Sequence, residues 1–168
     1  MPSIIFSRLV WAIVLVLLQP LVFNHIHLFG YATPLPYVYA LLILPSTTPR
    51  WLYVVLGFVL GFVVDFFSNT FGMAAAATTF AGLCTPFLLK FFGPKDFDPD
   101  NLLLPSFESL ETKNFLFYAA ALLFVHACVF FTLEAMTFSH FSGLIFNVFG
   151  STALSLLFVS LFELIRKH

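Results

Sequence analysis

The side chains able to do chemistry in this chain sit inside apolar runs. Asp65 lies near the end of the run Trp51 to Phe67, and Gln19, His126, Glu134 and Asn147 interrupt or border other such runs. An ionisable group near a bilayer centre costs about 2.5 to 3.5 kcal/mol by insertion scales, so each must serve a contact, a partner or a ligand. For Asp65 two readings stand side by side. Its carboxylate caps the start of the next helix or bonds Ser68 and Asn69 in the intervening turn, or it meets a ligand or protein partner.

His25-x-His27 offers two metal ligands, with Asp65, Glu134 or His140 available as a third, but an HxH pair in a loop is a weak metal signature and no metal is expected. Asp96-x-Asp98-x-Asp100 resembles the opening of a calcium loop. The sixth position, however, is Asn101 instead of Gly and the twelfth is Phe107 instead of Glu, so a solvated acidic loop is the better reading. Cys84 and Cys128 lie in apolar surroundings without CxxC or Cys/His spacing, which fits small hydrophobes. No GxSxG, HExxH, P-loop or dinucleotide fingerprint occurs, so neither a catalytic apparatus nor a cofactor is expected.

The elements that would position these residues are membrane helices. The chain has 168 residues, 61% hydrophobic and 9% charged, with mean hydropathy +1.02, which excludes a water-soluble globule. Six helices of about 20 residues would use about 120 positions, leaving one integral membrane domain over residues 1–168 with short connections. Net charge is −1 and the basic residues are scattered, so no nucleic-acid face is expected. Apolar runs span Leu9 to Phe23, about Leu28 to Leu44, Trp51 to Phe67, Phe71 to Phe92, Phe115 to Met136 and about Phe141 to Ile165. Arg8 precedes the first run and no small-x-small cleavage site follows, so that run is read as a retained helix. Pro34 and Pro36 divide the second and leave Leu35 to Leu44 as an uninterrupted helix of roughly 15 Å, too short to span alone. Residues 93–114, with five of the eight acids and three prolines, form the one sizeable loop, between helices four and five.

Charge supports a crossing by the short second segment. With six crossings and a cytoplasmic N-terminus, Arg8, Arg50, Lys90, Lys95, Lys113, Arg166 and Lys167 all fall inside, and the outer connections hold no Lys or Arg. Both termini and the 93–114 loop are then cytoplasmic. The same topology puts Gln19, His126, Glu134 and Asn147 at or outside the midplane, with His25, His27 and His140 in outer connections. This outward polar skew suits a ligand-holding pocket open to the outer face, or separate helix-to-helix hydrogen bonds, the latter being the commoner use. Gly57 and Gly61 form a GxxxG that lets another backbone approach, the favoured neighbour being the Ala74 to Ala77 tract rather than a second copy. Some of the 25 phenylalanines would face lipid or line a lateral groove for another protein's membrane helix.

The segment Leu56 to Met73, with Gly57 and Gly61 ahead of Asp65, a Ser68-Asn69-Thr70 turn and Gly72 opening the next helix, resembles the central motif of the rod shape-determining protein MreD family. Asn24 to Pro34 and Tyr37 to Pro45 resemble the version found in Bacteroidetes-type bacteria, and length and helix count agree over nearly the whole chain. The resemblance implies an inner-membrane, non-catalytic subunit of the cell-elongation complex. Such a subunit docks MreC and, through it, MreB, RodA and the elongation penicillin-binding protein of peptidoglycan synthesis. It also implies a fold similar to the substrate-binding membrane subunits of ECF vitamin transporters, which makes a small-molecule-binding subunit the alternative. Asp65 and Gly72 match the motif residue by residue, and the family offers no catalytic residues to carry over.

Overall fold

A computed structural model describes residues 2–23, 33–70, 72–94, 98, 101–135 and 141–167. The described residues are helical, with no strand among them: α1 (Pro2–Leu21), a 3-10 turn (Pro36–Val38), α2 (Tyr39–Leu42), α3 (Arg50–Ser68), α4 (Met73–Phe92), α5 (Thr112–Ala135) and α6 (Phe141–Lys167). Among the described residues, four helices are long and apolar enough to cross a membrane: Arg50–Ser68, Met73–Phe92, Thr112–Ala135 and Gly143–Arg166. They pack in chain order, each against the next, with α3 and α4 forming the most intimate pair. Their outward surfaces carry Phe58, Phe66, Phe87, Phe91, Phe117, Phe146 and Phe149, all more than half exposed, which suits lipid as the surrounding solvent.

The second segment departs from the sequence expectation. Instead of an uninterrupted helix over Leu35 to Leu44, only Pro36 to Leu42 is helical, three residues as a 3-10 turn and four as α2. Pro36 starts it with a fixed φ, and Pro45 disfavours a helical conformation at Leu44, so the helix has no room to lengthen. What it lacks in length it makes up in burial. Leu35 and Tyr37 to Ile43 are each at most 3% exposed, and the segment touches all five long helices. It is the centre of the core.

Extended backbone at this depth needs partners, because a buried unpaired amide costs about 1–3 kcal/mol. The amide of Thr33 donates to Ser151 Oγ at 2.9 Å and that of Leu35 to Ser155 Oγ at 2.8 Å. Pro34 and Pro36 have no amide to satisfy, and the Pro34 carbonyl accepts from Gln19 Nε2 at 3.0 Å. Ser155 in turn donates to the Ser151 carbonyl at 2.6 Å, so one turn of α6 serves two amides of the extended chain beside it. Val148, Ser151, Ser155, Val159 and Glu163 form one buried stripe of α6 at three- and four-residue spacing.

Asp96 and Asp100 of the acidic stretch lie outside the described residues, and the second half of the loop after α4 packs on the core. Asp98 is exposed, whereas Leu103 and Phe107 pack on the core, Pro105 is buried and Leu110 is 1% exposed. Ser46 holds this loop through three bonds: its amide to the Leu103 carbonyl, its hydroxyl to the Asn101 carbonyl, and the Leu103 amide to its hydroxyl. Helix α5 accordingly begins at Thr112, three residues before Phe115.

Candidate functional site

The turn between α3 and α4 is built around Asp65. Helix α3 ends with Asn69 in the left-handed region at φ 56°, its amide returning to the Asp65 carbonyl. Gly72, at φ 84°, redirects the chain into α4 but has no side chain with which to cap it. Asp65 supplies the cap from the preceding helix. One carboxylate oxygen accepts from Thr70 Oγ1 at 2.5 Å and the Ala74 amide at 3.0 Å, and the other accepts from the Ala75 amide at 2.7 Å. Thr70 is the turn residue that bonds the carboxylate, a role the sequence reading assigned to Ser68 and Asn69.

Below this turn the two helices meet backbone to backbone. A Cβ on Gly61 would lie 2.5 Å from both the Ala74 carbonyl oxygen and the Ala75 Cα, as expected of the alanine tract. Gly57 instead meets the backbone of Thr78 and Thr79, one turn further along α4, and Gly82 meets the Tyr53 carbonyl. Thr78, Thr79 and Thr85 keep this interface free of loose polar groups by donating to carbonyls within their own helix at 2.6 to 2.9 Å.

The residues assigned to an outward polar pocket have separate placements. Gln19 is buried and bonded to Pro34, and His126 is buried with Nε2 2.8 Å from the Tyr37 hydroxyl. Phe130 stacks on the His126 ring, and among the described residues no partner meets His126 Nδ1. Glu134 is exposed, eight residues and about 12 Å further along α5, and Asn147 is half-buried on α6. His25, His27 and His140 lie outside the described residues. Among those described, no group of three His, Cys, Asp or Glu residues is placed to hold a metal ion.

Sequence reasoning missed a buried ionic cluster near the end of α6. Glu163, 2% exposed, accepts from the Tyr39 hydroxyl at 2.5 Å and from the Phe107 amide at 3.3 Å, and pairs with Arg166, which also donates to the Pro105 carbonyl. The signal was the i, i+3 spacing of Glu163 and Arg166 together with the serine spacing that shares their face. This cluster ties α2, the loop and the end of α6 together.

Two cavities open on the α3–α4 hairpin. One, about 520 Å³ and almost wholly apolar, runs along its outer side between Phe58 and Phe62 of α3 and Phe80 of α4, over a floor of Gly72, Ala76 and Thr79. The other, about 320 Å³ and more polar, lies at the opposite end of the hairpin beside Arg50 and Lys90.

These features define a multi-pass, all-helical membrane protein whose polar side chains are used mainly to hold its own backbone together. No protein-family model, curated protein or solved structure matches the chain.

Proposed function

We propose that this chain is a non-catalytic subunit of the bacterial cell-elongation complex, of the MreD kind, which docks the membrane helix of MreC and so supports peptidoglycan synthesis and cell shape. The observation that carries this reading is the α3–α4 hairpin. Of the residues on which the resemblance rests, Gly57 and Gly61 bring these helices to backbone contact, Gly72 turns the chain between them and Asp65 caps the turn. The same hairpin leaves a groove on its outer side. Gly72, Ala76, Thr79 and Leu83 line it at spacings of four, three and four residues, the seam that a second helix fills, and Phe58 and Phe62, stacked at 6.0 Å, stand at its edge. The engagement of Gln19 and His126 inside the protein favours helix docking over the transporter-like, ligand-binding alternative.

In this reading the protein sits in the inner membrane with six crossings and both termini cytoplasmic. Support comes from the shared end of the bundle. Arg50 and Lys90 flank the cavity that includes Ser46, Ser46 bonds Leu103, and Arg166 bonds Pro105, so these cations gather where the positive-inside rule expects them. Single cysteines at Asp98 and Asn69, in a chain with Cys84 and Cys128 changed to Ser, provide the check. With an impermeant thiol reagent on intact spheroplasts, Asn69→Cys should label and Asp98→Cys should not. Labelling of Asp98→Cys from outside overturns the topology.

The docking claim is tested by co-purification of MreC from native membranes. Ala76→Trp fills the groove floor without touching the glycine contacts, and should lower recovered MreC on the order of ten-fold while the protein stays inserted, with cells rounding. Recovery of MreC unchanged by Ala76→Trp rules out this groove, and no recovery with the unaltered chain rules out the partner.

A further inference from the structure

The polar cavity between the start of α3 and the end of α4 lies apart from the proposed docking groove and shares no lining residue with it among those described. Its lining includes Arg50, Lys90, Thr47 and Thr48, and among the described residues it contains no acidic side chain. Arg50 leans across onto α4, its guanidinium 5.5 Å from the centre of the Phe87 ring. Lys90 follows Phe87 by one helical turn, so two cations are brought to one 320 Å³ cavity. Like charges held together repel, and an anion between them removes that repulsion. Helix α3 also begins at Arg50 without a side-chain cap, which leaves its positive end unneutralised on the same side.

The level of the cavity narrows the anion. Trp51, 65% exposed, stands next to Arg50 where an aromatic residue marks the headgroup region. Phe87, 59% exposed, faces outward beside the cavity and offers a surface for acyl chains. We propose that this cavity is a phosphate-binding site in which Arg50 and Lys90 clamp the phosphate of an anionic membrane lipid or of a soluble phosphate compound, with Thr47 supplying a hydroxyl donor. A guanidinium suits two phosphate oxygens at once, and the lysine acts as a point charge beside it.

The test uses the full chain purified in an uncharged detergent, with retained ligand read by native mass spectrometry. Phosphatidylglycerol and inorganic phosphate are titrated separately, with phosphatidylcholine as the zwitterionic reference. Phosphatidylglycerol should bind in preference to phosphatidylcholine, and Arg50→Gln and Lys90→Gln should each weaken it about five-fold, the pair about 25-fold. Lys113→Gln, an exposed lysine at the same end but outside the cavity, should leave affinity unchanged. Thr47→Glu keeps both cations but adds a carboxylate at the cavity, and should weaken binding as strongly as loss of one cation. Saturation by millimolar inorganic phosphate with the same dependence on Arg50 and Lys90 assigns the site to a soluble phosphate, and binding of the lipid alone assigns it to the membrane. The proposal is overturned if the Arg50→Gln/Lys90→Gln chain binds as the unaltered one does, or if Lys113→Gln loses as much.

Discussion

Asp65→Leu is expected to destabilise the protein by about 3–5 kcal/mol, a large share of the stability of a domain this size. Asp65 is 7% exposed, and its two oxygens receive the Thr70 hydroxyl and the amides of Ala74 and Ala75. Those amides belong to the first turn of α4, which has no intrahelical acceptor for them, and Gly72 provides none. Leucine would leave the buried amides facing hydrocarbon and remove a negative charge from the positive end of α4. Asp65→Asn retains one acceptor oxygen but turns an amide donor toward other donors, so it should cost about 1–3 kcal/mol. Unfolding of the purified protein in detergent, followed by helical circular dichroism, gives both values. Equal stability of all three chains defeats the capping account. If both variants stay folded and both lose the proposed partner MreC, the charge acts on that partner instead.

Gly61→Leu is expected to be at least as damaging, by a different route. Even a methyl group there would sit 2.5 Å from the Ala74 carbonyl oxygen and the Ala75 Cα, and rigid helix backbone cannot yield as a flexible side chain would. Gly61→Ala should therefore cost about 1–3 kcal/mol, and Gly61→Leu should separate α3 from α4 and prevent the native hairpin. Gly143 provides the comparison, since among the described residues nothing lies within 4 Å of a Cβ placed there. Gly143→Ala should be neutral or stabilising by up to about 1 kcal/mol, because alanine loses less backbone freedom in a helix. The measurement is the same unfolding titration. Gly61→Leu unfolding no earlier than Gly143→Leu would show that the close contact contributes little. Loss of the hairpin should also disturb the proposed phosphate site, whose cavity spans the same two helices, so phosphatidylglycerol retention offers a second readout.

The long helices were legible in the sequence because hydrophobic run length is a local property. A stretch such as Trp51 to Phe67 has to be helical in lipid, where every amide must find its acceptor nearby along the chain. The close approach at Gly61 and a capping role for Asp65 were legible for a similar reason, since the residues involved lie within about four helical turns of each other. Residues 33 to 46 were not. Their prolines showed where a membrane helix must break, but whether the broken chain could stay buried depended on Ser151 and Ser155, 118 and 120 residues away from the amides they receive. Likewise no local pattern around Glu163 names its partners, because the fold brings Tyr39 and Phe107 to it. Apolar length thus determined which parts of the chain enter a membrane. Only the tertiary structure decided how the non-helical part survives there, because its hydrogen-bond partners come from helices that no local pattern brings together.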